Sequence, residues 1–232
     1  MNPTRDALHR VATHVLARAR HAATGKFGLR ATPGGFGTPA FGPDVEVLRV
    51  DAGELVRERG GRAAVTPMSG QTLAELAAFA GVDLTAAFSA GLETRPIGDV
   101  NEPLAVGPRA ALALGEWYGL GWRIIDSVVA SLPATAAPSV IQLWPEHFDA
   151  GCDVAAGPAE GQRCNLGASP GDSFHEEPYL YVGPWTTDRP GDPADWNAPF
   201  GAFLAEAALR AEPDPVAAGV AFCCERLARF RV

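Results

Sequence analysis

The chain has 232 residues, 47% of them hydrophobic and 20% charged, a balance that buries enough apolar surface to offset chain entropy and excludes intrinsic disorder. Its formal charge is −8, and of its 19 Lys and Arg residues all but Lys26 are arginine. Nucleic-acid affinity rests on a basic face for phosphate contacts, so no nucleic-acid partner is expected. A charge-free apolar run of ~18 residues and a signal-peptide pattern are both missing, which predicts no membrane partner and a cytoplasmic location. Cys152, Cys164, Cys223 and Cys224 have no CxxC spacing and are too sparse for a disulfide framework, so they read as buried free thiols.

Asn2 as N-cap and Pro3 at the first helical position, followed by Leu8, Val11, Ala12, Val15, Leu16 and Ala19, predict a first helix ending near Thr24-Gly25. His9, His14 and His21 lie on that helix among arginines and read as a solvated face. Short strands are expected at 26–31, 45–50, 55–58 and 63–65, separated by Pro/Gly turns. Thr72 and Glu75 form a capping box for a helix that Gly81 stops, and a shorter helical piece is expected at 84–90. Residues 93–107 hold Pro96, Gly98, Pro103 and Gly107 without an apolar period, which predicts a long connection.

Pro108 opens the longest helix, to about Leu132, apolar nearly all round except for a line of Glu116, Arg123 and Asp126 or Ser127. Such a helix should be central. Glu116 and Arg123 stand seven residues apart, two turns along one face, and would either line a cavity or form a solvent-exposed edge. Strands follow at 139–144, 150–154, 163–168 and 178–183, then a loop at 186–195 and two helices, 197–210 and 214–230.

The expected fold class is therefore α+β, with two similar halves of helix, four-stranded meander and helix packed as one unit, mostly antiparallel. The halves are 1–92 and 108–232, joined by 93–107. Leu29 to Gly34 and Leu166 to Gly171 match in the order Leu-x-Ala-Thr/Ser-Pro-Gly, which suggests an internal repeat. The same match also follows from turn chemistry alone, since Pro and Gly suit successive turn positions.

The chemistry concentrates in the second meander. Side chains alternate faces along a strand, so Ile141, Leu143, Leu180 and Val182 define an aliphatic face, and Gln142, Trp144, Tyr179 and Tyr181 a polar-aromatic one, with Asn165 expected to join it from the intervening strand. His147-Phe148-Asp149 and His175-Glu176-Glu177 each place an imidazole and a carboxylate at i and i+2. If the two triplets meet, His147, Asp149, His175 and Glu177 suit a divalent metal. They equally suit a metal-free pair in which a carboxylate fixes the tautomer of a general-base imidazole. The spacing is not that of HExxH, and no P-loop or GxGxxG follows a strand and opens a helix, so no nucleotide cofactor is expected.

The run Gln142 to Asp149, with Trp-Pro-Glu-His-Phe-Asp at its centre, the Ser169-Pro170-Gly171-Asp172 turn and Glu177-Pro178-Tyr179 together resemble a bacterial family of unknown function. The resemblance covers the whole chain and implies a shared α+β architecture and shared polar positions, but no reaction. In that family the position of His147 is not always histidine, which shifts weight to Asp149, Asp172 and Glu177. Two readings follow. One is a small-molecule pocket walled by Trp144, Tyr179 and Tyr181, serving hydrolysis or isomerisation through His147, Asp149, His175 and Glu177. The other is a non-catalytic interaction or homodimer face built from the same Trp and Tyr residues.

Overall fold

The computed structural model describes residues 2–91, 94–159 and 161–231. The chain is α+β, with helices and two five-stranded antiparallel sheets of order β1-β2-β3-β4-β5 and β10-β9-β8-β7-β6. It forms two compact units, one of Met1–Gly119 with Gln142–Phe148 and one of Leu120–Ile141 with Asp149–Val232. Among the described residues no helix is long and apolar enough to cross a membrane.

The first unit opens with α1 (Pro3–Val11), a π-helical stretch (Ala12–Ala17) and α2 (Arg18–Thr24). The Asn2 side chain accepts from the Arg5 N–H as N-cap, and Gly25 closes the helix in the left-handed conformation. The meander follows: β1 (Arg30–Thr32), β2 (Gly35–Gly37), β3 (Val47–Asp51), β4 (Glu54–Arg59) and β5 (Arg62–Pro67), with α3 (Leu73–Ala80) after it. The Thr72–Glu75 capping box is complete in both directions. Gly35–Gly37 was not expected as a strand, because glycine has little strand propensity. Its backbone is nonetheless paired on both sides, to β1 and β3.

Residues 84–90 are not helical. The Asp83 carboxylate caps the Thr85 N–H, and the buried Arg18 guanidinium collects the carbonyls of Asp83, Leu84 and Ala86, which holds the segment in an irregular path. The connection read at 93–107 is bonded into the first unit where it is described. Arg10 donates to the carbonyls of Ile97 and Asp99, Leu104 and Gln71 share a backbone bond, and Thr4 donates to the Ala105 carbonyl. The two units part within α4 (Pro108–Ser131) rather than at this connection.

The expected solvated histidine face is overturned at His9, 8% exposed, and His14, 3% exposed, while His21 is half-buried. His14 lies in the π-helical stretch, every residue of which is buried. His9 lies flat on Phe148, their centroids 4.8 Å apart. Phe148 in turn meets Phe36 and Tyr118 edge to face. β6 (Gln142–Trp144) belongs to this unit through paired backbone bonds between Leu143 and Leu29.

The second unit carries β7 (Asp149–Ala155), β8 (Arg163–Ser169), β9 (Tyr179–Pro184), β10 (Ala202–Ala205), α5 (Glu206–Arg210) and α6 (Pro215–Ala228). Residues 202–205 fall inside the helix expected at 197–210, since Ala and Leu favour one. Pairing with Tyr179–Val182 makes them an edge strand instead. The aliphatic face holds Ala150, Cys152, Val154, Cys164, Leu166, Ala168, Leu180 and Val182, all buried. A Cβ on Gly121 would overlap Ala168, and one on Gly219 would overlap Ile124. The missing side chains therefore seat α4 on the sheet and α6 on α4.

The matched Pro-Gly runs do not fall on corresponding strands. Thr32-Pro33-Gly34 leaves the first strand of its sheet, whereas Ser169-Pro170-Gly171 leaves β8, the third strand of its own in chain order. Both glycines have positive φ, 74° and 91°. The match therefore reports turn chemistry, while the likeness of the halves lies in the helix–meander–helix plan.

Candidate functional site

The register of the second sheet assigns its faces. Asp153, Asn165 and Gly183 stand side by side across β7, β8 and β9, as do Gly151, Gly167, Tyr181 and, on β10, Phe203. Asp149, Ser169 and Tyr179 share that face by the alternation of strand side chains. The polar-aromatic face thus takes Tyr179, Tyr181 and Asn165 as expected from the sequence. It adds Phe203 from an unforeseen strand.

Tyr181 extends over β8, where a Cβ on Gly167 would run into its ring, and donates its phenol proton to Oδ2 of the buried Asp149. Burial first, and then the Asp149 charge and hydrogen bond, push the Tyr181 phenol well above its ordinary value. Tyr179 donates to Oδ2 of Asp172 at 2.7 Å, and burial followed by that hydrogen bond raises its phenol as well. Both tyrosines are therefore proton holders near neutral pH. Their ring centroids lie 6.2 Å apart.

The Ser169-Pro170-Gly171-Asp172 turn builds the next part. Asp172 Oδ1 accepts the N–H groups of Phe174 and His175, and the Asp172 N–H donates to the His175 carbonyl at 2.8 Å. This closed turn sets His175 at centroid distances of 5.8 Å from Tyr179 and 5.2 Å from Phe203. His175 Nδ1 lies 3.1 Å from the Glu177 carbonyl oxygen and 3.2 Å from its amide nitrogen. Nδ1 donates to that oxygen in one tautomer and accepts from that N–H in the other, so the ring is held by its own turn in either. Phe174, 39% exposed, packs edge to face on Tyr179, Phe200 and Phe203.

At the other end of the face, the Trp185 indole N–H donates to Asn165 Oδ1 at 2.8 Å, and the Arg163 guanidinium lies 5.6 Å from the Trp185 ring centroid. Arg163 is itself paired to Asp153 at 2.7 Å. Trp185 is 58% exposed yet fixed on two sides.

The four residues read as metal ligands do not assemble. Among the described residues no group of three or more His, Cys, Asp or Glu side chains is placed to hold one metal ion. Asp149 is engaged by Tyr181, His175 turns Nδ1 onto its own turn, the exposed Glu177 contributes backbone atoms to that turn, and His147 Nε2 lies 3.4 Å from Glu146. Gln142 and Trp144 belong to the first unit, where Gln142 lies against Gly28 and Trp144 against Phe27. Glu116 and Arg123 are exposed, which selects the solvent-edge reading.

Burial pushes the thiols of Cys152, Cys164 and Cys223 up to about 12, so these three offer no thiolate near neutral pH. Phe174, Phe200 and Phe203 escaped the sequence reading because loop and helix were expected where they stand. Gly151 and Gly167 did leave a signal, since a glycine inside a strand marks a close approach. No protein-family model, no curated protein and no solved structure matches the chain.

Proposed function

We propose that the polar-aromatic face of the C-terminal unit binds a small organic molecule and moves a proton on it, in a hydrolysis or an isomerisation. The observation that carries this reading is the hydrogen bond from His175 Nδ1 to the Glu177 carbonyl, beside two phenols that stay protonated. A general base must exchange a proton without losing its orientation, and His175 meets that requirement through Nε2. With their protons committed to Asp172 and Asp149, Tyr179 and Tyr181 present phenol oxygens that accept a hydrogen bond from the ligand. Phe174 and Phe203 supply apolar wall.

A ligand-observed NMR fragment screen on the full chain, repeated on His175→Ala and Tyr181→Phe, tests this. Fragments that bind the native chain and are lost in His175→Ala support it. An identical set of hits on all three proteins sinks it.

A second reading is favoured by the exposure of Phe174 and Trp185, which suits an interface between two copies of the chain. Sedimentation across a wide concentration range discriminates: a dimer that Trp185→Ala dissociates supports the interface, and a constant monomer mass removes it.

A further inference from the structure

A hollow lies within the first unit. It has a volume of about 530 Å³ and is lined by α2, β4 and the segment following α3, a size that suits a small molecule. Its charged lining is unusual for a chain of net charge −8. Three guanidinium groups, Arg18, Arg57 and Arg59, face it together with two carboxylates, Glu46 and Asp83.

The topology explains the concentration of arginine. Arg57 and Arg59 stand at i and i+2 on β4 and so share a face, while Glu58 between them turns to the opposite face and pairs with Arg49. Arg57 uses Nε on Glu46 and Nη1 on the Phe79 carbonyl. Arg59 uses Nε and Nη2 on Asp44. That leaves Nη2 of Arg57 and Nη1 of Arg59 without hydrogen-bond partners among the described residues. The remaining wall is apolar and aromatic: Phe41 is buried, and Phe88 lies over Arg18 with 5.0 Å from its ring centroid to the guanidinium carbon.

We infer that this hollow binds a small organic acid, with its carboxylate on Arg57 and Arg59 and its apolar or aromatic body between Phe41 and Phe88. With Asp44 on Arg59 counted, three guanidinium groups meet three carboxylates, so the match rests on the two guanidinium N–H groups left over and not on a net local charge. Two arginine nitrogens on one strand face match the two oxygens of a carboxylate. A purely apolar ligand would strand the guanidinium donors, and a dianion would meet Glu46 at 14% side-chain exposure.

The test is a titration of the full ¹⁵N-labelled chain with benzoate and 2-naphthoate, against benzamide and 2-naphthamide as neutral counterparts, following the amides of Ala22, Gly81, Val82 and Phe88. Saturable shifts with the acids, with the amides at least about tenfold weaker, are expected. Arg59→Gln changes an exposed side chain and should weaken the acids by about tenfold. Ala22→Phe fills the hollow from the exposed side of α2 and should abolish the shifts while both arginines remain. The inference is overturned if neither acid saturates these amides by about 20 mM, if acids and amides bind equally, or if Ala22→Phe leaves binding intact.

Discussion

Tyr181 reaches Asp149 across the bare backbone of Gly167. A side chain on Gly167 would occupy the space of the phenol ring, and the ring cannot move aside without surrendering its bond to a buried carboxylate. Gly167→Ala should therefore cost about 1–3 kcal/mol of stability, as overpacking does, and should perturb the near-ultraviolet tyrosine signal. Gly183→Ala is the matched control on the same sheet, because a Cβ there meets nothing closer than 3.8 Å. Urea unfolding of the two variants checks this, and equal stabilities would mean that the ring does not need the gap.

The two buried histidines of the first helix make the fold acid-labile. Burial lowers His9 to about 4 against the backbone bond to Pro145, with Arg95 lowering it further, and burial followed by the charge of Arg18 lowers His14 to about 4. Above the ordinary value of 6.5 both states are neutral and stability does not depend on these rings. As pH falls from 6.5 toward 4 the unfolded chain binds protons that the folded chain refuses, so stability is lost across that window. Between pH 7 and pH 5 each histidine should contribute a loss of about 2 kcal/mol. His14→Leu should remove roughly half of the combined histidine slope. Urea midpoints at pH 7, 6 and 5 measure it, and a slope unchanged in His14→Leu would reject the assignment.

Asp172 closes the turn that carries His175. Its Oδ1 accepts two backbone N–H groups and its Oδ2 a phenol. Asp172→Ala removes three acceptor contacts and should cost about 1–3 kcal/mol. The effect should be local as well, with amide hydrogen exchange of Phe174 and His175 accelerated while that of Leu166 in β8 stays slow. Uniform acceleration along the unit would mean that Asp172 supports the fold at large and not the turn.

Local chemistry was legible in the sequence wherever one residue decides an outcome. The Asn2 cap, the Thr72–Glu75 box and the Pro-Gly turns depend only on near neighbours. So did the alternation that put Tyr179 and Tyr181 on one face, opposite Leu180 and Val182. What escaped depends on contacts distant in sequence. β10 exists because Ala202 to Ala205 find β9 as a partner, and residues 84–90 stay irregular because Arg18 collects their carbonyls from 65 or more residues away. The metal reading failed for the same reason. Spacing can bring a histidine near an acid, but it does not reveal that a tyrosine 32 residues away has already taken Asp149.

Val45 is strained in a way that its neighbourhood does not require. It ends the Gly42-Pro43-Asp44-Val45 turn with φ 52°, a left-handed conformation in which a β-branched side chain crowds its own backbone. Its side chain is 66% exposed, so little packing offsets the strain. Its amide bonds the Gly42 carbonyl at 3.3 Å, and any residue except proline keeps that bond. Asparagine tolerates the left-handed region and loses less chain entropy on folding than glycine does. Val45→Asn should accordingly stabilise the protein by about 1 kcal/mol, and Val45→Gly by less, since glycine also raises the entropy of the unfolded chain. Val45→Ile keeps the β-branch and should leave stability within about 0.5 kcal/mol of the native chain. Thermal unfolding of the three variants decides the matter: a midpoint for Val45→Asn at or below that of Val45→Ile would mean that the turn carries no strain to relieve.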